Sequence, residues 1–184
     1  YYGDISLIDN CVGRVLKAIK ECGREEETIF VFSTDHGDAI GSHKHFEKSG
    51  TMYDEIFRIP LLVKVPGTDG RQIQAFVRLM DLMPTFIDWG GGDIPDKIDA
   101  KSLVPLFNGQ TPKDWPDSVY CESHGEVWGY SSQRMVRTES WKYVYQPNDL
   151  DELYDLKTDS AEMHNLVNDQ NYAEILDEMK ARLL

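Results

Sequence analysis

Between residues 35 and 48 the chain gathers an acid, imidazoles and an ammonium: Ser33-Thr34-Asp35-His36-Gly37, then Gly41-Ser42-His43, then Phe46-Glu47-Lys48. Asp35 and His36 can offer an oxygen and a nitrogen to a metal ion. Lys48 can offer three N–H donors to an anion. The group follows an apolar, partly β-branched run, Thr28-Ile29-Phe30-Val31-Phe32, which reads as a buried strand over Thr28–Ser33. In an open α/β sheet, ligands bind just past the carboxyl ends of the strands. The plainer alternative is a turn, with Asp35 capping and Gly37 supplying a positive φ.

The surrounding pattern goes further than the tripeptide. Ser33-x-Asp35-His36-Gly37, Gly41-x-His43, Lys48, Tyr53-Asp54-Glu55 and Arg58-Ile59-Pro60-Leu61 follow one another in order. Farther on come Asp81-Leu82-x-Pro84-Thr85, Arg134-Met135-Val136-Arg137-Thr138, Trp141-Lys142-Tyr143 and Glu152-Leu153-Tyr154-Asp155-Leu156, then Asp159, Glu162 and Asn165-Leu166. This succession resembles the type I sulfatases of the alkaline phosphatase superfamily, and the resemblance runs along nearly the whole chain.

The resemblance implies an alkaline phosphatase-like α/β fold. This chain would be the C-terminal part of a doubly wound mixed or parallel sheet, joined to a small subdomain of antiparallel sheet plus helix. It also implies that Asp35 and His36 ligate a calcium ion and that Lys48 holds the sulfate. His43 would either stand near the site or order the loop. Calcium prefers oxygen ligands, and a histidine sits less comfortably beside it. The family nucleophile, a formylglycine made from the first residue of Cys/Ser-x-Pro-x-Arg, has no counterpart among these 184 residues. Nor do the paired aspartates that complete the calcium shell. Both would come from a preceding N-terminal half, which makes this chain by itself an expected non-catalyst. Its partner would be a sulfated small molecule or carbohydrate. Two other readings stay open. One is a phosphonate or phosphodiester hydrolase of the same superfamily, where Asp and His suit zinc or manganese. The other is a non-catalytic module that keeps the fold.

The elements that must position these residues are legible from periodicity. Ile5, Ile8, Val12, Val15, Leu16 and Ile19 keep helical spacing from Asp4 to Cys22, with Gly23 placed to end the helix. A second apolar run, Leu61–Val65, is bounded by Pro60 and Pro66 and predicts a strand parallel to the first. The long connection between the two strands carries the histidines and Lys48, and loops of that length are uncommon without a function. His45 is expected to be exposed. Asp81 to Gly90 reads as a short helix with Asp81 as N-cap. Gly90-Gly91-Gly92 and the prolines that follow lie in a stretch of little periodicity. The expected division is residues 1–110, containing the metal loop, and residues 111–184. Short strands at Ser118–Cys121, Arg134–Arg137, Lys142–Tyr145 and Glu152–Tyr154 predict an antiparallel sheet. Tyr172, Ile175, Leu176, Met179 and Leu183 predict a terminal helix. His124 to Tyr130 reads as a polar and aromatic loop, either a carbohydrate subsite or an ordinary solvated loop.

Composition narrows the partners. Hydrophobic residues make up 41% and charged residues 28% of the chain, ordinary for a globular domain. No apolar run has the length of a membrane span. A net charge of −13 argues against nucleic acid, which needs clustered Lys and Arg, so sulfate recognition must rest on local cations. Cys11 and Cys22 fall too far apart on one helix to bridge, and no Cys-x-x-Cys pair suggests zinc. The start, Tyr1-Tyr2-Gly3-Asp4, has no initiator Met and no signal pattern, so the chain is expected to be a fragment or processed piece. Its compartment is not legible. A cut sheet would leave apolar faces for self-association or a companion chain to cover.

Overall fold

Helical periodicity at the start of the chain produces α1, Tyr2–Glu21. Asp4 in its first turn and Lys20 in its last complement the helix dipole. Gly23, at φ +67°, ends it: its N–H returns to the Lys20 carbonyl, and the Arg24 N–H to that of Ile19. The computed structural model describes residues 1–48, 50–126 and 129–183. Among these, no helix is long and apolar enough to cross a membrane, and all three cysteines are free.

The chain divides into two compact units. The first comprises residues 1–48 and 55–71, the second residues 49–54 and 72–184. In the first unit, β1 (Phe30–Ser33) pairs with β2 (Leu61–Lys64). The single turn α2, Asp54–Phe57, begins on the last residue of the segment 49–54 and continues in the first unit. The two strands are antiparallel, Phe30 opposite Lys64 and Ser33 opposite Leu61, which corrects the parallel pairing expected from sequence. An apolar run shows that a strand is buried but carries no direction. Among its described residues the connection holds only the short helical turns Ser42–Lys44 and Asp54–Phe57, neither long enough to act as a crossover. The Ser33 hydroxyl locks this reversal by donating to the Pro60 carbonyl at 2.9 Å. The α1 helix buries none of its residues, and Ile5, Leu7 and Ile8 are each about half exposed or more.

In the second unit, a turn at Leu79–Asp81 leads into α3 (Leu82–Trp89), and α4 covers Val104–Phe107. Asp81 does not cap α3 with its side chain, contrary to expectation. Its buried carboxylate turns back to accept from the Arg78 backbone and guanidinium and from the Lys101 N–H. A charged donor nearby outcompetes the neutral N–H groups of the helix start. A four-stranded antiparallel sheet follows: β3 (Ser118–Glu126), β4 (Gly129–Thr138), β5 (Trp141–Tyr145) and β6 (Glu152–Asp155), in that order. The stretch read as a loop is strand at His124–Glu126 and again at Gly129–Tyr130. The ladder runs from Ser118 opposite Thr138 to Glu126 opposite Gly129, with an irregularity at Gly125. Val127 and Trp128 lie outside the described residues.

Period-2 alternation gives this sheet two different faces. Val136, Tyr143 and Leu153 stand opposite one another in register and pack with Met179 of α5 (Ala173–Leu183), flanked by Trp141, Leu166, Tyr172 and Ile175. Arg137, Lys142 and Tyr154 form the next row, one residue out of phase and therefore on the other face. There Lys142 is fully buried, and Met52, Tyr53 and Asp54 cover the row.

Candidate functional site

The loop between β1 and β2 is folded on itself before any ligand is considered. The Gly37 N–H donates to the Ile56 carbonyl at 2.8 Å. A Cβ at Gly37 would come within 1.9 Å of the Glu55 carbonyl oxygen, so only glycine permits this approach. Ala39 donates to Glu47 and Gly41 to His45 across the loop. Ile40, His43, Lys44 and Glu47 all hold positive φ between 49° and 64°. Such strain, about 1–3 kcal/mol per residue, gathers at functional loops where surrounding contacts over-determine the backbone.

Asp35 and His36 meet at the start of this loop. The Asp35 Oδ1 accepts from the His36 N–H at 3.0 Å and from the Thr34 hydroxyl at 3.3 Å. Its Oδ2 lies 3.6 Å from His36 Nε2. The Asp35 carboxyl is held below its ordinary range by its own backbone N–H and that of His36, with the His36 ring adding to them. His36 Nδ1 lies 2.8 Å from the Gly37 carbonyl oxygen, which can only accept. Nδ1 therefore carries the proton in the neutral ring, and Nε2 keeps its lone pair on the side facing Asp35 Oδ2. One oxygen and one nitrogen so placed can touch a single cation, and this donor set fits a metal. It is a partial set: among the described residues no group of three or more His, Cys, Asp and Glu could hold a metal ion.

The other two residues singled out from sequence have different surroundings. His43 is nearly buried, and its Nε2 stands 3.9 Å from Glu55 Oε1 on α2. Lys48 is exposed at the end of the loop, open to an anion. His45 is partly buried rather than exposed. The structure thus joins Asp35 to His36 and His43 to Glu55. Sequence reasoning did not assign Glu55 to His43; only the tight packing of α2 on Gly37 brings them together.

Comparison with known proteins gives this loop a context. Residues 41–184 match the family described as N-sulphoglucosamine sulphohydrolase, C-terminal. An arylsulfatase from Clostridium perfringens is 34% identical over 191 residues, covering 100% of this chain and 38% of the relative. A crystal structure of a putative sulfatase from Bacteroides thetaiotaomicron superposes with a TM-score of 0.87 at 33% identity, covering 96% of this chain and 39% of that one. The phosphonate monoester hydrolase of Agrobacterium radiobacter superposes at 0.86 with 29% identity, covering 100% of this chain and 41% of that one. The chain therefore spans about two fifths of the length of these relatives.

Proposed function

Because this chain belongs to the N-sulphoglucosamine sulphohydrolase C-terminal family, within the type I sulfatases of the alkaline phosphatase superfamily, we propose that it is the C-terminal portion of an enzyme that hydrolyses sulfate esters. Its substrate is a sulfated small molecule or carbohydrate, in keeping with the sugar named in the family description. The observation that carries the reading is the Asp35–His36 pair, 3.6 Å between Oδ2 and Nε2, with the imidazole oriented by the Gly37 carbonyl.

A sulfate ester bears negative charge and repels an incoming nucleophile until cations draw that charge off its oxygens. Asp35 and His36 would hold the metal ion, calcium by family resemblance. When bound, it supplies Lewis-acid positive charge. The exposed Lys48 ammonium binds and orients the sulfate by donating to its oxygens. His43, a residue of the same loop held against Glu55, either orders the loop or moves a proton at the site. The nucleophile, a formylglycine by family resemblance, is supplied by residues other than these 184. The exposed apolar side chains of α1 are suited to a companion chain or a second copy.

A second reading is favoured by one specific feature. Imidazole suits zinc or manganese better than calcium, and the phosphonate monoester hydrolase superposes as well as the sulfatase does. Metal analysis of the whole enzyme, with paired assays on an aryl sulfate and a phosphonate monoester, separates the two. Calcium with preferential sulfate turnover upholds the first reading. Zinc or manganese with preferential phosphonate turnover replaces it.

A further inference from the structure

The outer hairpin of the antiparallel sheet carries a group of polar side chains that the sulfate-ester reading does not use. Tyr120, Glu122 and His124 are alternate residues of β3 and share one face. The ladder sets Arg134 opposite Glu122 and Ser132 opposite His124, so both belong to that face as well. All five lie in the second unit. Glu122 and His124 are each about half exposed, within reach of a molecule in solution.

Three of these side chains converge on a single atom. Glu122 Oε2 accepts from the Tyr120 hydroxyl at 2.7 Å and stands 3.1 Å from His124 Nε2 and 3.9 Å from Arg134 Nε. The Tyr120 hydroxyl first and the His124 ring next hold the Glu122 carboxyl below its ordinary range, so it is ionised at neutral pH. A carboxylate can only accept, and that fixes the imidazole. Nε2 carries the proton and donates it to Glu122, while Nδ1 keeps its lone pair. That lone pair faces the Ser132 hydroxyl, with Oγ 2.8 Å away, and the serine donates to it. Ion pairs as exposed as these contribute little to stability. What the arrangement supplies is a hydroxyl whose proton has a destination. A nucleophile within hydrogen-bond reach of a base, with the base oriented by a third group, is the pattern that activates a serine.

We propose that Ser132, His124 and Glu122 form a nucleophilic site that hydrolyses small carboxylic esters by way of an acyl-serine. Ser132 Oγ attacks the carbonyl carbon while its proton passes to His124 Nδ1. The bond from that carbon to the alcohol oxygen breaks, and the imidazolium gives the proton to the departing alcohol. Water then attacks the acyl-serine and gives a proton to Nδ1. The acid departs as Ser132 Oγ takes that proton back. Glu122 holds the ring and balances the charge it gains. Arg134 stands two residues from Ser132 on the same face, about 7 Å along the strand, and its long side chain brings a cation toward the charge developing on the carbonyl oxygen. An ester suits so open a site better than an amide, since its alcohol is the easier group to expel.

The test uses the whole enzyme that carries this chain, with a fluorophosphonate and p-nitrophenyl acetate as probes. The fluorophosphonate transfers its phosphonyl group to an activated serine with loss of fluoride, and peptide mass spectrometry locates the adduct. Wild type should carry it on Ser132. His124→Gln should slow labelling there about 10²-fold, the low end of what a positioned base supplies, and Glu122→Gln should slow it too. Acetate hydrolysis should fall at least about tenfold in Ser132→Ala, while Ser132→Cys, which keeps a nucleophile in place, should retain acyl transfer. His124 is exposed and Ser132 only partly buried, so each variant should unfold within about 2 °C of wild type. The absence of an adduct on Ser132 overturns the inference. So does a labelling rate that His124→Gln leaves unchanged, or acetate hydrolysis equal in wild type and Ser132→Ala.

Discussion

Lys142 Nζ stands 2.5 Å from Glu162 Oε1, and neither side chain is exposed to solvent. The pair ties β5 to the turn beyond β6, and both partners then converge on Asp54, 88 residues before Lys142 and 108 before Glu162. A contact of this kind costs little while whole and much when halved. Losing one member of a buried pair is destabilising by about 3–5 kcal/mol.

The same cluster makes stability depend on pH. Burial pushes the Asp54 carboxyl up, but Lys142 and Arg137 outweigh it and hold it below its ordinary value of 3.8. A depressed folded value means that Asp54 contributes stability above its unfolded pKa and loses it as pH falls through the folded one. Burial moves Glu162 the opposite way, above 4.5, with Lys142 only partly offsetting it. Its share is complete below the unfolded value and is lost as pH rises through the folded one. Thermal unfolding followed from pH 2 to 8 should therefore show a shallower acid limb for Asp54→Asn. Glu162→Gln should flatten the side above pH 4.5. An Asp54→Asn profile parallel to wild type below pH 4 would rule the assignment out.

Gly37→Ala tests the close approach of the loop to α2. With the Glu55 carbonyl oxygen 1.9 Å from the added methyl, backbone must move. Overpacking of this kind costs about 1–3 kcal/mol. The variant should lose several degrees of Tm and part of its turnover. An unchanged Tm would show that the loop and α2 are not in contact there.

Lys48→Ala separates chemistry from stability. The side chain is exposed and lies outside the core, so Tm should stay within about 2 °C of wild type, as for surface substitutions generally. Turnover of an aryl sulfate by the whole enzyme should fall about 10²–10³-fold, the usual cost of removing a donor aimed at developing charge. Near-normal turnover would make Lys48 a surface cation only.

Calcium titration of the 184-residue chain tests the completeness of the metal site. Calcium takes six to eight oxygens, whereas Asp35 offers one carboxylate with Oδ1 already accepting from His36 and Thr34. Calorimetry should give a Kd weaker than about 1 mM, beyond even the weak extracellular calcium modules, and an aryl sulfate assay no turnover. Micromolar affinity with multiple turnovers would place the active site elsewhere in the chain.

Local chemistry determined a good deal of this protein in advance. Periodicity marked α1, α5 and the strands of the antiparallel sheet, because side-chain phase along an element depends on near neighbours. The order of short motifs marked the family and drew attention to Asp35, His36, His43 and Lys48, which the resemblance linked to metal and sulfate. Direction and partnership were decided only by the tertiary fold. The apolar runs of β1 and β2 carry no sign that the strands run antiparallel. His124 and Glu126 became strand because backbone groups across the hairpin could pair. Lys142 sits between Trp141 and Tyr143 in a strand, where alternation alone points it toward solvent. It is buried because Met52 and Asp54, distant in sequence, cover that face. Nothing local to Lys142 encodes that cover, and the ion pairs with Asp54 and Glu162 exist only once it has formed.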